Sequence, residues 1–418
     1  MTSVVTTLEK QAACGFRNGL TTYTIQFKPP PIEGRIFKDK GVFSEDYVPE
    51  RIPCRENQLR ENWSNLNNAD KGWKPDNMVE MGGLGTGKTV LIRHMCRALP
   101  SGCVALYVNC SRENTRTRLI MSGLQQLGIE AVSGFDSLHY VALFEKAVKN
   151  YKFVGLILDE ANEFFTRKDS EHFEFFYWVS RLLSNLFVIM LTNRTDFQMM
   201  LRKTLDPRIL DTFRWRTIVF PDYGCDELLT ILWDRFQAGF KPGAYDENKT
   251  EAAHIVKYVY DRDGGAREAI ALARRIGEAA ESRDHDRIEP SDIDEGQRLY
   301  ERSKELDLIR SLPKVERTII SHVLKRDTTS DEAYSWFKDT AQEDGEPSGY
   351  RIYHDALAKL ELKGLMQKQK QPRGRGRGSI PMRISVPPEM RQLIQEVMQE
   401  QTPPPQNAIS NDQTGDTP

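Results

Sequence analysis

The sequence has no long apolar run: nothing in its 418 residues approaches the roughly 18 to 20 consecutive apolar positions of a membrane span. Its N-terminus also lacks the basic-then-apolar order of a secretory signal. Cysteine is sparse and unpatterned. Cys14, Cys54, Cys96, Cys103, Cys110 and Cys225 form no CxxC pair and no metal-ligand spacing, which argues against a zinc or disulfide framework and for reduced thiols. Neither sign of charge is in excess, since 58 Lys and Arg face 60 Asp and Glu for a formal net charge of -2. That balance excludes a globally basic coat, so affinity for a polyanion has to come from local patches. No internal repeat is present. Together these absences predict a soluble, cytoplasmic chain with no membrane partner.

At this length the chain exceeds what one compact core usually holds, and two or three domains are expected. Residues 1–44 mix Thr, Lys and Gly around a PPPIEG turn cluster without a lasting period, and read as an N-terminal arm. From Asn77, apolar runs alternate with helical periods. A run ending at Met81 precedes the helical TVLIRHMCRAL; VALYVN, SRENTRTRLIMSGLQQLG, a helix near Leu138 to Asn150, FVGLILDE and LFVIMLTN follow. Such strands, almost wholly apolar and separated by helices, predict an α/β core over 45–223 whose parallel sheet is covered on both faces. After Pro221 the strands stop. DELLTILWDRFQAGF, EAAHIVKYVYDR and GGAREAIALARRIGEAAES carry helical periods, so an all-helical unit is expected over 224–304. A further unit spans 305–392, and residues 393–418, ending in the polar, proline-rich QTPPPQNAISNDQTGDTP, read as a disordered tail.

The chemistry begins at GGLGTGKT, Gly82 to Thr89, which fits GxxxxGK followed by Ser or Thr, with a strand before it and a helix after it. Gly85, Thr86, Gly87, Lys88, Thr89 and Val90 offer successive backbone N–H groups at a helix N-terminus, a cradle for phosphate. Lys88 would neutralise β/γ charge and the Thr89 hydroxyl would hold Mg²⁺. The plain alternative, a glycine-rich turn with an accidental Lys-Thr, fits the length and context of the motif poorly. In VGLILDE an apolar strand delivers Asp159 and Glu160 to its C-terminal edge, where ligands of open α/β sheets bind. There Asp159 would hold Mg²⁺ through water and Glu160 would polarise an attacking water. Two acids after a strand are often only a solvated helix start, but here a phosphate loop lies about 70 residues upstream. Asn193 ends the next apolar strand, placed to orient water or the γ-phosphate, or simply to form a turn.

Beyond residue 305 the order is helix (VERTIISHVLKR), helix, a loop rich in Asp and Gly, helix (YRIYHDALAKLELKG), then the β-like LMQKQKQ and IPMRISV around PRGRGRG. That order predicts a winged helix-turn-helix with a glycine-tipped basic hairpin. Lys368, Lys370, Arg373, Arg375, Arg377 and Arg383 occur without an intervening acid and give a local positive field. The other reading of the Gly-Arg run is a solvated tail. Ser348 would cap the recognition helix, Tyr350, Arg351 and His354 would lie on its first turns, and Ile352, Ala356, Leu357 and Leu360 would form its core stripe.

These segments together resemble one family. DYVPERIPCRENQL, GLGTGKT, ALYVNCSRENTRTRLI, LILDE, LDPRIL, FPDYGCDELLTILWDR, GGAREAIALARRIGEAAE, LAKLELKGL and PRGRGRG follow the order of the archaeal replication initiators of the origin recognition subunit one and cell division control protein six type, from about Asp46 to Ile384. The resemblance implies an AAA+ P-loop core, a helical lid, and a C-terminal winged helix. It implies ATP or ADP with Mg²⁺ as ligands, Thr89 and Asp159 at the metal, Asp159 and Glu160 as the Walker B pair, Asn193 as sensor 1 and Arg267 as sensor 2. Tyr223 and Arg235 match nucleotide contacts where the lid begins, and the segment Tyr47 to Arg55 matches the adenine-side wall. Arg116 and Arg118 fall on the family's extra initiator helix as candidates for DNA contact, although arginines on a helix also make an ordinary solvated face. The implied partners are double-stranded origin DNA, the MCM helicase and paralogous initiator subunits, met at the nucleoid. The implied function is ATP-dependent replication initiation, with slow hydrolysis resetting a switch. Departures from the pattern are Asp211-Thr212 where the family has Ser-Arg, which leaves Arg208 and Arg214 as candidates for the arginine finger, Asn162 after LDE, and TNR at sensor 1. Two alternatives keep the architecture: a winged-helix transcriptional regulator bound at promoters, and an AAA+ partner of a transposase. The wing after a full lid disfavours the second.

Overall fold

Five parallel strands form the core sheet of the computed structural model, which describes residues 34–400 except 131–133, 166–174, 180–182, 211–212, 344, 346–347 and 371–381. The strands are β1 (Asn77–Gly82), β2 (Cys103–Asn109), β3 (Phe153–Asp159), β4 (Leu186–Thr192) and β5 (Trp215–Phe220), in the order β2-β3-β4-β1-β5. Helices of this part include α1 (Glu56–Leu66), α2 (Lys88–Met95), α3 (Arg116–Gln126), α4 (Ser137–Val148), α5 (Ala161–Phe165), α6 (Phe197–Thr204) and α7 (Pro207–Leu210). Successive strand residues point to opposite faces. Val154, Leu156, Leu158, Val188 and Met190 pack with Leu119, Ile120 and Leu124 of α3 and Phe144 of α4. Phe153, Ile157, Ile189 and Leu191 pack with Leu66 of α1 and Leu91, Ile92 and Met95 of α2. With helices on both faces, β3 and β4 are buried along their whole length, which is why they read as unbroken apolar runs. β1 lies between β4 and β5, and its onward connection runs to the far strand β2. Its carboxyl end therefore opens at the crevice where connections diverge.

A second core belongs to α8 (Cys225–Gly239), α9 (Thr250–Tyr260), α10 (Ala266–Ser282) and α11 (Pro290–Arg310), built on Leu232, Phe236, Ile255, Leu272 and Ile276. Ile36, Phe37, Val42 and Phe43, from the end of the N-terminal arm, are buried in it. The Phe37 and Phe43 rings lie 5.2 and 4.6 Å from Phe240, and Lys38 and Asp39 donate backbone N–H groups to the Gly239 carbonyl. One 3-10 turn, Lys40–Phe43, is too short to print a period, so no pattern in the arm hints at this packing. The arm's residues 1–33 lie outside the described residues. α11 places Tyr300 in the helical core and Ile309 in the next one, so the boundary expected at 304/305 falls inside one continuous helix.

The third core joins α12 (Lys314–Lys325), α13 (Ser330–Glu343), α14 (Tyr350–Leu362) and α15 (Pro388–Glu400) with an antiparallel sheet of β6 (Thr328–Thr329), β7 (Gln367–Lys370) and β8 (Met382–Ser385) in the order β6-β8-β7. Helices closed by an antiparallel hairpin make a winged helix. Three details correct the sequence reading. Ser348 does not cap α14: Gly349 holds the N-cap position and no side chain bonds there. Ile352 is 38 % exposed, while Tyr353 takes its place in the core, its hydroxyl donating to the Ser330 carbonyl at 3.0 Å so that the polar tip is satisfied. The expected tail does not begin at 393, because α15 runs to Glu400 with Leu393, Ile394 and Val397 buried and Arg302 paired to Glu396 at 2.7 Å. Residues 401–418 and the PRGRGRG segment, with Arg373, Arg375 and Arg377, lie outside the described residues.

Candidate nucleotide-binding cleft

β1 ends at Gly82, and the chain turns through Gly83 to Gly87 into α2. Gly85 and Gly87 have φ of +73° and +89°, the left-handed region that side chains resist. A Cβ on Gly87 would also meet the Tyr223 hydroxyl oxygen at 2.5 Å. No side chain caps α2, so the N–H groups of its first turn are left for a ligand. Lys88 Nζ donates to the carbonyls of Gly82 and Gly83 at 2.8 and 2.7 Å and to Thr86 Oγ1 at 3.1 Å. Burial lowers its pKa against the pull of Asp159, Glu80 and Asp222. The loop forms one wall of a cleft of about 420 Å³, a size suited to a small ligand. Gly85 to Val90, Asp159, Glu160, Asn193, Tyr223, Arg235 and Arg267 all line it.

At the carboxyl end of β3, Thr89 Oγ1 donates to Asp159 Oδ2 at 2.9 Å, the Tyr107 hydroxyl donates to the same oxygen, and the Glu160 N–H donates to Oδ1 at 2.9 Å. Burial, then the bond to Asp159, pushes the Tyr107 phenol well above its ordinary range. Glu160 sits at φ +53°, and its carboxylate accepts from Ser111 Oγ. Its pKa is raised by burial first and by Asp159 and Glu163 next, with Arg267 opposing. A hydroxyl beside a carboxylate at a phosphate loop suits Mg²⁺, which takes one or two protein oxygens and completes its shell with phosphate and water. Exposed Asn193 follows β4 directly. Next to it, Thr192 Oγ1 donates to Asn162 Oδ1 at 3.1 Å, so Asn162 is engaged within the core rather than facing the cleft as an acid would.

The helical unit supplies the opposite wall. α10 begins against the loop: a Cβ on Gly85 would lie 3.7 Å from the backbone nitrogens of Ala266 and Arg267. The Arg267 side chain is exposed and 3.9 Å from Glu45. Arg235 is buried, donates to the Val42 carbonyl at 3.1 Å and lies over the Tyr47 ring at 4.5 Å, which fixes the arm beside the cleft. Sequence reasoning passed over Tyr107, Ser111 and Glu80 here, and it reached Arg55 only as the end of the segment matched to the adenine-side wall, not as a buried residue. Arg55, in CRENQ, looks like a surface charge at a helix start but is 2 % exposed. Tyr107 and Ser111 are hydroxyls whose only sign was position, one within the apolar VALYVN and one just after it. Glu80 is fully buried on β1, neither carboxylate oxygen has a partner, and burial pushes its pKa to about 8.

Away from the cleft, the two expected DNA-facing arginines of α3 differ. Arg116 donates to Ser137 Oγ at 2.9 Å and ties α3 to α4, whereas Arg118 is exposed. On α14, Tyr350 is exposed with its ring 4.2 Å from His354, and Arg351 is exposed 3.9 Å from Asp355. Lys368 pairs with Glu361 at 2.7 Å and Arg383 with Asp327 at 3.5 Å, so part of the hairpin's positive charge is already offset. Arg208 pairs with Asp206 at 2.9 Å, and Arg214 is exposed; Asp211 and Thr212 lie outside the described residues. Among the described residues no helix is long and apolar enough to cross a membrane, and no group of three or more His, Cys, Asp or Glu is placed to hold a metal.

A five-stranded parallel sheet with this loop, closed by a helical lid, defines an AAA+ protein. Residues 76–205 match the AAA domain family and residues 229–298 match the Cdc6 AAA+ ATPase-type lid domain. The chain is 29 % identical over 351 residues to ORC1-type DNA replication protein 1 of Methanothermobacter thermautotrophicus, covering 79 % of this chain and 88 % of that one. Its fold is that of the Aeropyrum pernix ORC1 protein, solved in complex with DNA, at a TM-score of 0.72 and 24 % identity over 88 % of this chain and 98 % of that one. The A. pernix ORC2 protein, solved with ADPNP and ADP, matches at a TM-score of 0.58 and 18 % identity over 87 % and 99 % of the two chains. The chain thus carries an AAA domain and a Cdc6-type lid and is similar over most of its length to ORC1-type DNA replication proteins.

Proposed function

We propose that this protein binds ATP and Mg²⁺ between its AAA+ core and its lid, binds duplex DNA at replication origins, and helps to recruit or load the MCM helicase. The observation that carries the nucleotide reading is that one cleft gathers the phosphate loop, the two acids after β3 and the start of α10. Within it, Lys88 balances β/γ charge, Thr89 and Asp159 hold the metal, Glu160 orients water, and Arg267 reaches in from the lid. Bound Mg²⁺ would supply charge neutralisation across the phosphate oxygens. α11 leaves the lid core and enters the winged-helix core without a break, so closure of the lid on nucleotide is mechanically linked to the winged helix. Hydrolysis is slow in this reading, and it resets the switch.

DNA is held on two faces, α3 through Arg118 with Arg116 bracing its first turn, and the winged helix through Tyr350, Arg351 and the basic run Arg373, Arg375 and Arg377. The solved ORC1 complex with DNA supports this reading. Arg208 or Arg214 would serve as the finger toward a neighbouring, paralogous subunit. The promoter-binding alternative gains no support from relatives named as replication proteins. A chromatin map of the tagged protein tests the choice: occupancy concentrated at replication origins is expected, and occupancy dispersed over promoters would overturn it.

A further inference from the structure

Arg55 is the largest fully buried side chain among the described residues, and the cleft described above does not include it. Its guanidinium donates from Nε to the Thr86 carbonyl at 3.0 Å, from Nη1 to the Cys54 carbonyl at 2.9 Å and from Nη2 to the Pro221 carbonyl at 2.5 Å. It lies 3.7 Å from the centre of the Tyr223 ring, whose hydroxyl in turn crowds Gly87. Among the described residues these hydrogen bonds all go to backbone carbonyls and none to a carboxylate. The Phe220 ring centre is 5.9 Å from the guanidinium. A buried charge held by carbonyls and ring faces carries a cost that a nearby anion would offset.

The first of these bonds has a direct consequence. A peptide unit is planar and trans, so its C=O and N–H point in opposite directions. By holding the Thr86 carbonyl from behind, Arg55 fixes the peptide whose N–H belongs to Gly87, the residue before Lys88 in the loop. That N–H is thereby turned away from Arg55. The same bond polarises the peptide and strengthens the donor at its other end.

We propose that Arg55 is a positioning residue for the phosphate loop, whose buried positive charge favours nucleotides in proportion to their phosphate charge. The proposal rests on the nucleotide reading given above, and it adds a determinant outside the GxxxxGK motif. Its energy is Coulombic and acts through a low-dielectric wall, so it weakens with each phosphate removed from the ligand.

The test compares the full-length wild type with Arg55→Met, Arg55→Gln and Arg55→Lys by calorimetry with ATP, ADP and AMP, alongside melting without nucleotide. Met and Gln remove the charge; Lys keeps it. ATP affinity should fall about tenfold in the Met and Gln variants, the loss should shrink from ATP through ADP to AMP, and Lys should keep affinity within about threefold. Melting without nucleotide measures the structural cost of losing the bonds to the Thr86, Cys54 and Pro221 carbonyls, and the comparison of ATP with AMP measures the charge. If Arg55→Met does not fold, the Gln and Lys pair carries the same comparison. Equal losses in Gln and Lys, or a loss that is the same for ATP and AMP, would show a purely structural role and overturn the proposal. Unchanged ATP affinity in Arg55→Gln would overturn it as well, while a wild type that binds no nucleotide would remove the underlying reading and this inference together.

Discussion

The hydroxyl of Thr89 reaches the carboxylate of Asp159 at 2.9 Å and joins the first turn of α2 to the carboxyl end of β3. Thr89→Val keeps the shape of the side chain and deletes the oxygen. ATP affinity measured with Mg²⁺ should fall about tenfold, and affinity measured with a chelator should barely move. Equal losses in both conditions would mean that Thr89 shapes the loop and takes no part in holding metal.

Glu160 follows Asp159 at a left-handed turn and is tied to Ser111, not to the loop. It should therefore be dispensable for binding. Glu160→Gln is expected to hold ATP as the wild type does and to hydrolyse it about a hundredfold more slowly in single turnover. Hydrolysis at the wild-type rate would remove Glu160 from the reaction. By contrast Lys88→Ala should lose most of its ATP affinity, because the backbone cradle stays while its countercharge is gone.

Glu80 gives a prediction about pH. Its pKa rises from an ordinary 4.5 to about 8 in the fold, through burial above all, so the folded chain keeps a proton that the unfolded chain releases. The stability tied to this group is complete below the unfolded value and is lost as pH climbs toward 8. Relative to wild type, Glu80→Gln should gain roughly 1 kcal/mol per pH unit across that window and nothing below it. Urea unfolding of both proteins at about pH 5 and about pH 8 measures the difference. A constant offset between the two would show that Glu80 is not the proton carrier.

What the sequence made legible follows from how locally each feature is encoded. β3 and β4 announced themselves because two covered faces leave no polar positions, and the phosphate loop did so because glycine at Gly85 and Gly87 is demanded by backbone geometry. The burial of Arg55 and the role of Tyr107 were hidden for the opposite reason. Their partners, Thr86, Pro221 and Asp159, are distant in the chain, and nothing in the neighbouring residues marks a buried guanidinium or a phenol turned toward a carboxylate. The misjudged stripe on α14 is a matter of one residue: Tyr353 stands three, four and seven residues before the buried Ala356, Leu357 and Leu360, and its hydroxyl is satisfied by the Ser330 carbonyl. The helix after the wing was lost because Pro388 and the charged residues around Leu393 resemble the polar segment that follows.

The Gly-Arg run is bracketed by a real ladder. β7 and β8 pair antiparallel, Gln367 opposite Ser385 and Gln369 opposite Arg383, and β8 continues the sheet to β6. The sequence reading makes Arg373, Arg375 and Arg377, which lie between these strands in the chain, part of a wing that touches phosphates while α14 discriminates bases. Changing all three arginines to Ala should weaken binding to every duplex and leave the preferred sequence unchanged. It should also flatten the plot of log affinity against log salt by roughly one unit for each phosphate that is no longer neutralised. A basic tether would produce the same salt effect, so affinity alone does not separate the two. Amide exchange of the full chain without DNA does: the ladder amides of 367–370 and 382–385 should exchange slowly while 373–378 exchange fast. Fast exchange throughout both strands would leave the arginines on a tether and remove the wing from the DNA-binding surface.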